Sequence, residues 1–262
     1  MIHYRIAYPN ELYHHGIKGQ KWGVRRFQNK DGSLTNAGRE RYTKQNLRNA
    51  RFANVDKWGS SPDTNILFIT GFSGSGKSVA ANTIARKNDK VIHLDAYTEP
   101  INEDNVRAQN KDFNLFLDHQ VPRWKDMANA RTDGNSNMKK FSKEYWNTVD
   151  EFQRATEQYS KKQFKNNNRV VVEGIQIADD WFSEKKDYYS EKPVIIMGTN
   201  PSKSLSRALK RDGLDNILVS SIKNKEFAKE RIRVYSNMDS KLNDLATITN
   251  AKKDRKFVNR PI

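Results

Sequence analysis

Gly71-Phe72-Ser73-Gly74-Ser75-Gly76-Lys77-Ser78 lies between a short apolar run, Ile66-Leu67-Phe68-Ile69, and a stretch of helical character, Val79 to Ala85. A strand, a glycine-rich turn and a helix in that order constrain the fold more than any other part of the chain. The octet fits G-x-x-x-x-G-K-[ST], in which backbone N–H groups and the helix N-terminus line a concave anion site. Gly71, Gly74 and Gly76 let the backbone curl closely round a polyphosphate, with Ser73 and Ser75 between them. Lys77 is then placed to reach β- and γ-phosphates and the Ser78 hydroxyl to meet Mg²⁺. The expected ligands are ATP and Mg²⁺.

Further strands follow at intervals that leave room for helices. Lys90-Val91-Ile92-His93-Leu94-Asp95 ends in a carboxylate, Arg169-Val170-Val171-Val172-Glu173-Gly174 ends in Glu-Gly, and Pro193-Val194-Ile195-Ile196-Met197-Gly198 is a fourth run. Nearly continuous apolar character, rather than alternation, predicts an α/β fold with a parallel sheet covered on both faces. Ligands in such sheets bind beyond the carboxyl ends of the strands, where Gly71, Asp95 and Glu173 would emerge together. Asp95 reads either as a group that orients an attacking hydroxyl or as a turn or N-cap residue. Glu173 reads either as a metal-binding carboxylate or as a partner for Lys77.

Residues 96–168 form a long insertion. Phe141, Tyr145, Val149, Phe152 and Tyr159 recur at helical spacing, predicting an amphipathic helix from Met138 to Lys165 whose apolar stripe is core. The cationic part before it holds Arg107 and Arg123, candidates for gripping an acceptor substrate, although exposed bases are ordinarily a solvated face. After the fourth run, Thr199-Asn200-Pro201-Ser202 opens a helix on which Arg207 and Arg211 share one face before Asp212-Gly213 ends it. These arginines read either as a phosphate clamp or as surface arginines.

The charge is lopsided. Of a net +16, half falls in residues 1–60, which carry twelve Lys/Arg and four Asp/Glu. Such a balance favours polyanionic partners, including nucleic acid. The stretch Tyr13 to Phe27 mixes glycines, aromatics and bases without period, and reads as a docking segment; a basic helix from Thr35 to about Lys57 is expected next, stopped by Gly59-Ser60-Ser61-Pro62. The expected division is 1–62, a basic N-terminal segment; 63–250, the nucleotide-binding domain; and 251–262, a basic tail with Lys252, Lys253, Arg255, Lys256 and Arg260, mobile unless a partner orders it. His14 and His15, adjacent and with no cysteine in the chain, make poor metal-ligand geometry and read as packing or partner contacts. No apolar run approaches the roughly 18 residues of a membrane span, and the start lacks a signal peptide's hydrophobic core, so no membrane association and a cytoplasmic location are expected.

The loop at 71–78, the strand ending His93-Leu94-Asp95-Ala96-Tyr97, the strand Val170 to Gly174 and the segment Ser206-Arg207-Ala208-Leu209-Lys210-Arg211-Asp212 together resemble the P-loop kinases of small acceptors: the uridine kinase, nucleoside monophosphate kinase and zeta-toxin groups. The resemblance spans residues 64–245. It implies a three-layer P-loop NTPase core with strand order 2-3-1-4, and Leu245-Ala246-Thr247-Ile248-Thr249 as the one candidate for a fifth strand. It implies Asp95 as the base at the acceptor hydroxyl, Glu173 as a holder of Mg²⁺ or its water, and Arg207 and Arg211 as a lid over the phosphates. Separately, Tyr13 to Tyr42 resembles a module found in proteins of bacteriophages and prophages, which implies a phage setting, host cytoplasm or virion association, and a phage structural protein as a possible partner of residues 1–62.

Three functions fit. The first is transfer of the ATP γ-phosphate to a hydroxyl of a small acceptor of nucleoside or nucleotide-sugar type. A polynucleotide 5′-hydroxyl kinase would use the same loop and carboxylate and would draw on the positive charge. A virion or assembly protein would bind ATP as a structural ligand and would tolerate loss of Asp95.

Overall fold

The computed structural model describes residues 27–29, 34–72, 74–98, 103–125, 143–178, 186–198 and 225–254. The chain divides into two compact units, Met1–Arg39 and Glu40–Ile262. In the first, Gln28 and Leu34 form an antiparallel bridge, and the Thr35 N–H donates to the Phe27 carbonyl at 3.2 Å. Thr35 Oγ1 accepts from the Gly38 N–H at 3.1 Å, a side-chain cap on helix α1 (Asn36–Leu47).

The second unit is mixed α/β, built on a five-stranded, mostly parallel sheet. Its strands are β1 (Arg51–Ala53), β2 (Ile66–Gly71), β3 (Lys90–His93), β4 (Val170–Glu173) and β5 (Val194–Met197). They lie in the order β1-β5-β2-β4-β3, with β1 alone antiparallel. Among the described residues the remaining α-helices are α2 (Lys77–Ile84), α3 (Asp95–Thr98), α4 (Glu103–Ala108), α5 (Lys111–Gln120), α6 (Lys143–Lys165), α7 (Lys186–Ser190) and α8 (Lys225–Ile248).

Alternate side chains of the central strands enter two separate cores. Leu67, Ile69, Val171, Ile195 and Met197 pack with Leu47 of α1 and with Ala80 and Ala81 of α2. Ile66, Phe68, Val170, Val172, Val194 and Ile196 pack with Phe113 and Leu117 of α5, with Phe152 and Tyr159 of α6, and with Leu242 and Leu245 of α8. The central strands β2, β4 and β5 are apolar at nearly every residue, Thr70 and Glu173 excepted, because both faces are covered. Each such side chain, fully buried, contributes about 1.5–3 kcal/mol. Tyr97, Phe113, Phe152 and Tyr159 form a connected aromatic group, with ring centroids 5.0–5.8 Å apart in the Phe113–Tyr159, Tyr97–Phe113, Tyr97–Phe152 and Phe113–Phe152 pairs.

The two longest helices stop by the same device. Asn167 (φ 57°) follows α6 and Asn250 (φ 53°) follows α8; the next N–H in each case reaches back five residues, Asn168 to the Gln163 carbonyl at 3.0 Å and Ala251 to the Ala246 carbonyl at 2.8 Å. Asparagine tolerates the left-handed conformation that this closure needs.

Several expectations require correction. The helix after Thr35 ends at Leu47, not near Lys57, because Arg51–Ala53 leaves it to pair with Val194–Ile196 as an edge strand. Residues 40–62 thus belong with the sheet, and the turn at Gly59–Pro62 lies inside the second unit rather than between domains. Leu245–Thr249 is no strand: it is the end of α8 and its closing turn, with Leu245 and Ala246 in the core. The tail begins tethered. Ala251 is buried, and Lys252 exchanges backbone hydrogen bonds of 2.8 and 3.0 Å with Phe52, covering the outer edge of β1. Of the helix expected over 138–165, residues 143–165 are helical, with Val149, Phe152 and Tyr159 buried; Phe141 lies outside the described residues.

Candidate functional site

Register brings the site together. Ile69 of β2 and His93 of β3 both lie opposite Glu173 of β4. The Glu173 carbonyl accepts from the Leu94 N–H at 2.9 Å, and the Gly174 N–H donates to Ile69 at 3.1 Å. The carboxyl ends of three parallel strands are therefore locked side by side, and from them emerge the loop at 71–78, Asp95 and Glu173.

The loop has the conformation its glycines permit. Gly71, Gly74 and Gly76 take φ values of 147°, 76° and 91°. At Gly71 a Cβ would lie 2.8 Å from the Met197 carbonyl oxygen and 2.9 Å from the Met197 Cβ on β5, so the space itself excludes a side chain. Gly76 is the N-cap of α2, and its carbonyl takes the first helical hydrogen bond, from Ala80 at 2.9 Å. Lys77, only 6% exposed, turns back over the loop and donates from Nζ to the Phe72 carbonyl at 3.2 Å. That carbonyl also accepts from the Ser75 N–H at 3.1 Å. The Ser75 side chain is buried and its Oγ has no hydrogen-bond partner among the described residues. Ser78 is exposed at the start of α2. Ser73 lies outside the described residues.

Glu173 is 1% exposed, and its Oε1 lies 2.7 Å from His93 Nδ1. A carboxylate only accepts, so Nδ1 carries the proton and donates. Burial pushes the Glu173 carboxyl up, but the His93 hydrogen bond, the Lys77 charge, the His93 charge and, least, the Ser78 hydroxyl outweigh it and hold the group below the usual carboxylate range. Its second oxygen, Oε2, is buried with no hydrogen bond among the described residues. The unsatisfied carboxylate oxygen of Glu173 and the nearby Ser78 hydroxyl are oxygen ligands of the kind a small hard cation takes, while Lys77 beside them suits the phosphates such a cation would accompany. Among the described residues no three His, Cys, Asp or Glu side chains cluster as a metal site. Magnesium needs no such cage, since it keeps waters and takes ligands from substrate phosphates.

Asp95 starts α3 and is partly exposed; its Oδ1 accepts from Gln176 Nε2 at 2.8 Å. Gln176, on the turn after β4, is buried. Asp95 is thus fixed at the rim while remaining accessible. Arg107 on α4 and Arg123 in the turn after α5 are both exposed. Arg207 and Arg211 lie outside the described residues.

Sequence reasoning missed His93, Gln176 and the α1 face beside Gly76. His93 had a signal: it stands two residues before Asp95 at the end of a strand.

A model of a family of unknown function (DUF7211) matches residues 6–29, a short part of the chain that overlaps the basic N-terminal segment. No curated protein and no solved structure matches the chain. Among the described residues no helix is long and apolar enough to cross a membrane.

Proposed function

We propose that the chain is an ATP-dependent phosphotransferase of the P-loop kinase type, moving the γ-phosphate to a hydroxyl of a small acceptor of nucleoside or nucleotide-sugar type. The observation that carries this reading is Glu173: an ionised, buried carboxylate with an unsatisfied Oε2, placed by strand register beside Lys77 at the mouth of the glycine loop. The charge is compensated by His93 and Lys77, but a buried acceptor oxygen left without a donor is costly unless a ligand uses it.

On this reading the N–H groups of the loop and of the α2 N-terminus bind the triphosphate, and Lys77 leaves the Phe72 carbonyl for β- and γ-phosphate oxygens. Ser78 and Glu173 would hold Mg²⁺, which neutralises charge on the phosphates. His93 keeps Glu173 oriented. Asp95 accepts a hydrogen bond from the acceptor hydroxyl; as that oxygen bonds to the γ-phosphorus, its proton passes to Asp95 and the bond to the β–γ bridging oxygen breaks, releasing ADP. Catalysis is then mostly positioning and charge neutralisation, for which these residues suffice.

The test follows γ-labelled ATP with Mg²⁺ against nucleosides, nucleotide-sugars and 5′-hydroxyl oligonucleotides, with Lys77→Ala and Asp95→Asn in parallel. Label in a small acceptor, lost in both variants, supports the reading. Label in oligonucleotides alone, weakening steeply with salt, points instead to a polynucleotide kinase. ATP binding with no transfer and no effect of Asp95→Asn points to an assembly protein.

A further inference from the structure

The face of α1 that meets the glycine loop carries an unexplained polar group. Asn46 is 9% exposed, and its Nδ2 makes no hydrogen bond among the described residues. A Cβ built on Gly76 would lie 2.8 Å from Asn46 Nδ2, 3.5 Å from Asn46 Cγ and 3.3 Å from Tyr42 Cε1. The amide nitrogen is therefore the part of Asn46 that points at the loop, and it points at the residue that caps α2. Thr43, one turn before Asn46, clamps the two helices: Thr43 Oγ1 and Thr83 Oγ1 are 3.1 Å apart. Leu47, the next residue along, is fully buried against the sheet. The amide is held where it is by a core residue on one side and a helix-to-helix hydrogen bond on the other.

A buried N–H₂ with nothing to donate to is a costly feature, and proteins rarely retain one that has no partner in any state. Here it stands beside a helix N-terminus and within the same loop region as Ser75 Oγ, a second buried polar atom lacking a partner. Both can donate, and Asn46 Nδ2 stands at the residue that caps α2, where the unpaired N–H groups of a helix N-terminus favour negative charge. A ligand chemistry suited to such a donor is a phosphate oxygen.

We propose that Asn46 donates a hydrogen bond to the triphosphate of the bound nucleotide, so that α1, lying well before the glycine motif in the chain, completes the phosphate-binding site. This rests on the nucleotide-binding reading above and deepens it. Tyr42 forms the neighbouring wall on the same helix face.

The experiment uses the full chain, a fluorescent ATP analogue with Mg²⁺ titrated into it, and inorganic tripolyphosphate as competitor. Asn46→Ala should weaken analogue binding about tenfold, as expected for a donor to a charged acceptor. Asn46→Asp, which removes the donor and adds repulsion, should weaken it further, and tripolyphosphate should lose affinity in parallel. Melting of the nucleotide-free protein supplies the readout that separates binding from structure. Because Nδ2 has no partner among the described residues without ligand, Asn46→Ala and Asn46→Leu should melt at or above the wild-type temperature. Wild-type binding in both Asn46→Ala and Asn46→Asp overturns the inference, as does weakened binding accompanied by a lowered melting temperature in Asn46→Ala. Failure of the wild type itself to bind the analogue or tripolyphosphate sinks the nucleotide-binding reading instead, and this inference with it; wild-type binding that Lys77→Ala abolishes and the Asn46 variants leave intact sinks this inference alone.

Discussion

Glu173→Gln is the substitution whose effect on the free protein follows most directly from the site. The change keeps the shape of the side chain and its acceptor for His93 Nδ1, 2.7 Å away, but removes the charge. A hydrogen bond to a charged partner is worth about 1.5–3 kcal/mol and a neutral one about 0.5–1.5, so this contact weakens by about 1–1.5 kcal/mol. Lys77 also loses the opposing charge that faces it. Against these losses stands the relief of burying a neutral amide in place of an anion. The downward shift of the Glu173 carboxyl says which side wins, since attraction from His93 and Lys77 exceeds the burial penalty. The net expectation is a destabilisation of about 1–2 kcal/mol, or a melting temperature lower by roughly 2–8 °C for a domain of this size. The pH dependence has a definite sign. A carboxyl whose folded pKa lies below its unfolded one contributes stability above the unfolded value and loses it as pH falls through the folded value. The gap between wild type and Glu173→Gln, measured by thermal unfolding without ligand, should therefore be full at neutral pH and close on acidification below about pH 4.5. A Glu173→Gln protein as stable as wild type at neutral pH, or a gap that widens in acid, would refute the reasoning.

Other consequences are as specific. Gly71→Ala places a methyl 2.8 Å from a backbone carbonyl of β5, which cannot rotate away, so nucleotide binding should be lost by titration while circular dichroism still reports a folded α/β protein. Phe152→Ala empties a fully buried position between Tyr97 and Phe113 and should cost about 3–5 kcal/mol in urea unfolding. Asp89→Asn breaks the two-pronged contact from Arg169 Nε at 3.1 Å and Nη2 at 2.6 Å, beneath which the guanidinium stacks 3.7 Å from the Trp58 ring. Its destabilisation should be about 1–3 kcal/mol by the same assay, with no change in nucleotide affinity, since the cluster sits at the opposite ends of β3 and β4.

The parallel strands were legible because each is a run of β-branched or large apolar residues long enough to stand apart from its flanks. Arg51–Ala53 was not. It holds one large apolar side chain, Phe52, and its extended form is set by pairing with β5 on one side and with Lys252, two hundred residues further along, on the other. Leu245–Thr249 misled for the converse reason. Taken alone it suits a strand, yet it closes a helix of 24 residues whose apolar face is already committed to the core. In the site, residue types and strand ends pointed to Lys77, Asp95 and Glu173. The role of His93 depends on the β3–β4 register, and that of Asn46 on α1 crossing the start of α2; neither leaves a mark in local sequence.

The most direct measurement is a crystal structure of the full chain with Mg²⁺ and a non-hydrolysable ATP analogue. The triphosphate should lie in the curl of residues 71–78, with Lys77 Nζ moved from the Phe72 carbonyl to β- and γ-phosphate oxygens. Ser78 and Glu173 should be the residues that hold magnesium, with Asp95 facing the γ-phosphate. A nucleotide bound elsewhere, or a loop left empty at saturating analogue with Lys77 still on Phe72, would contradict this reading.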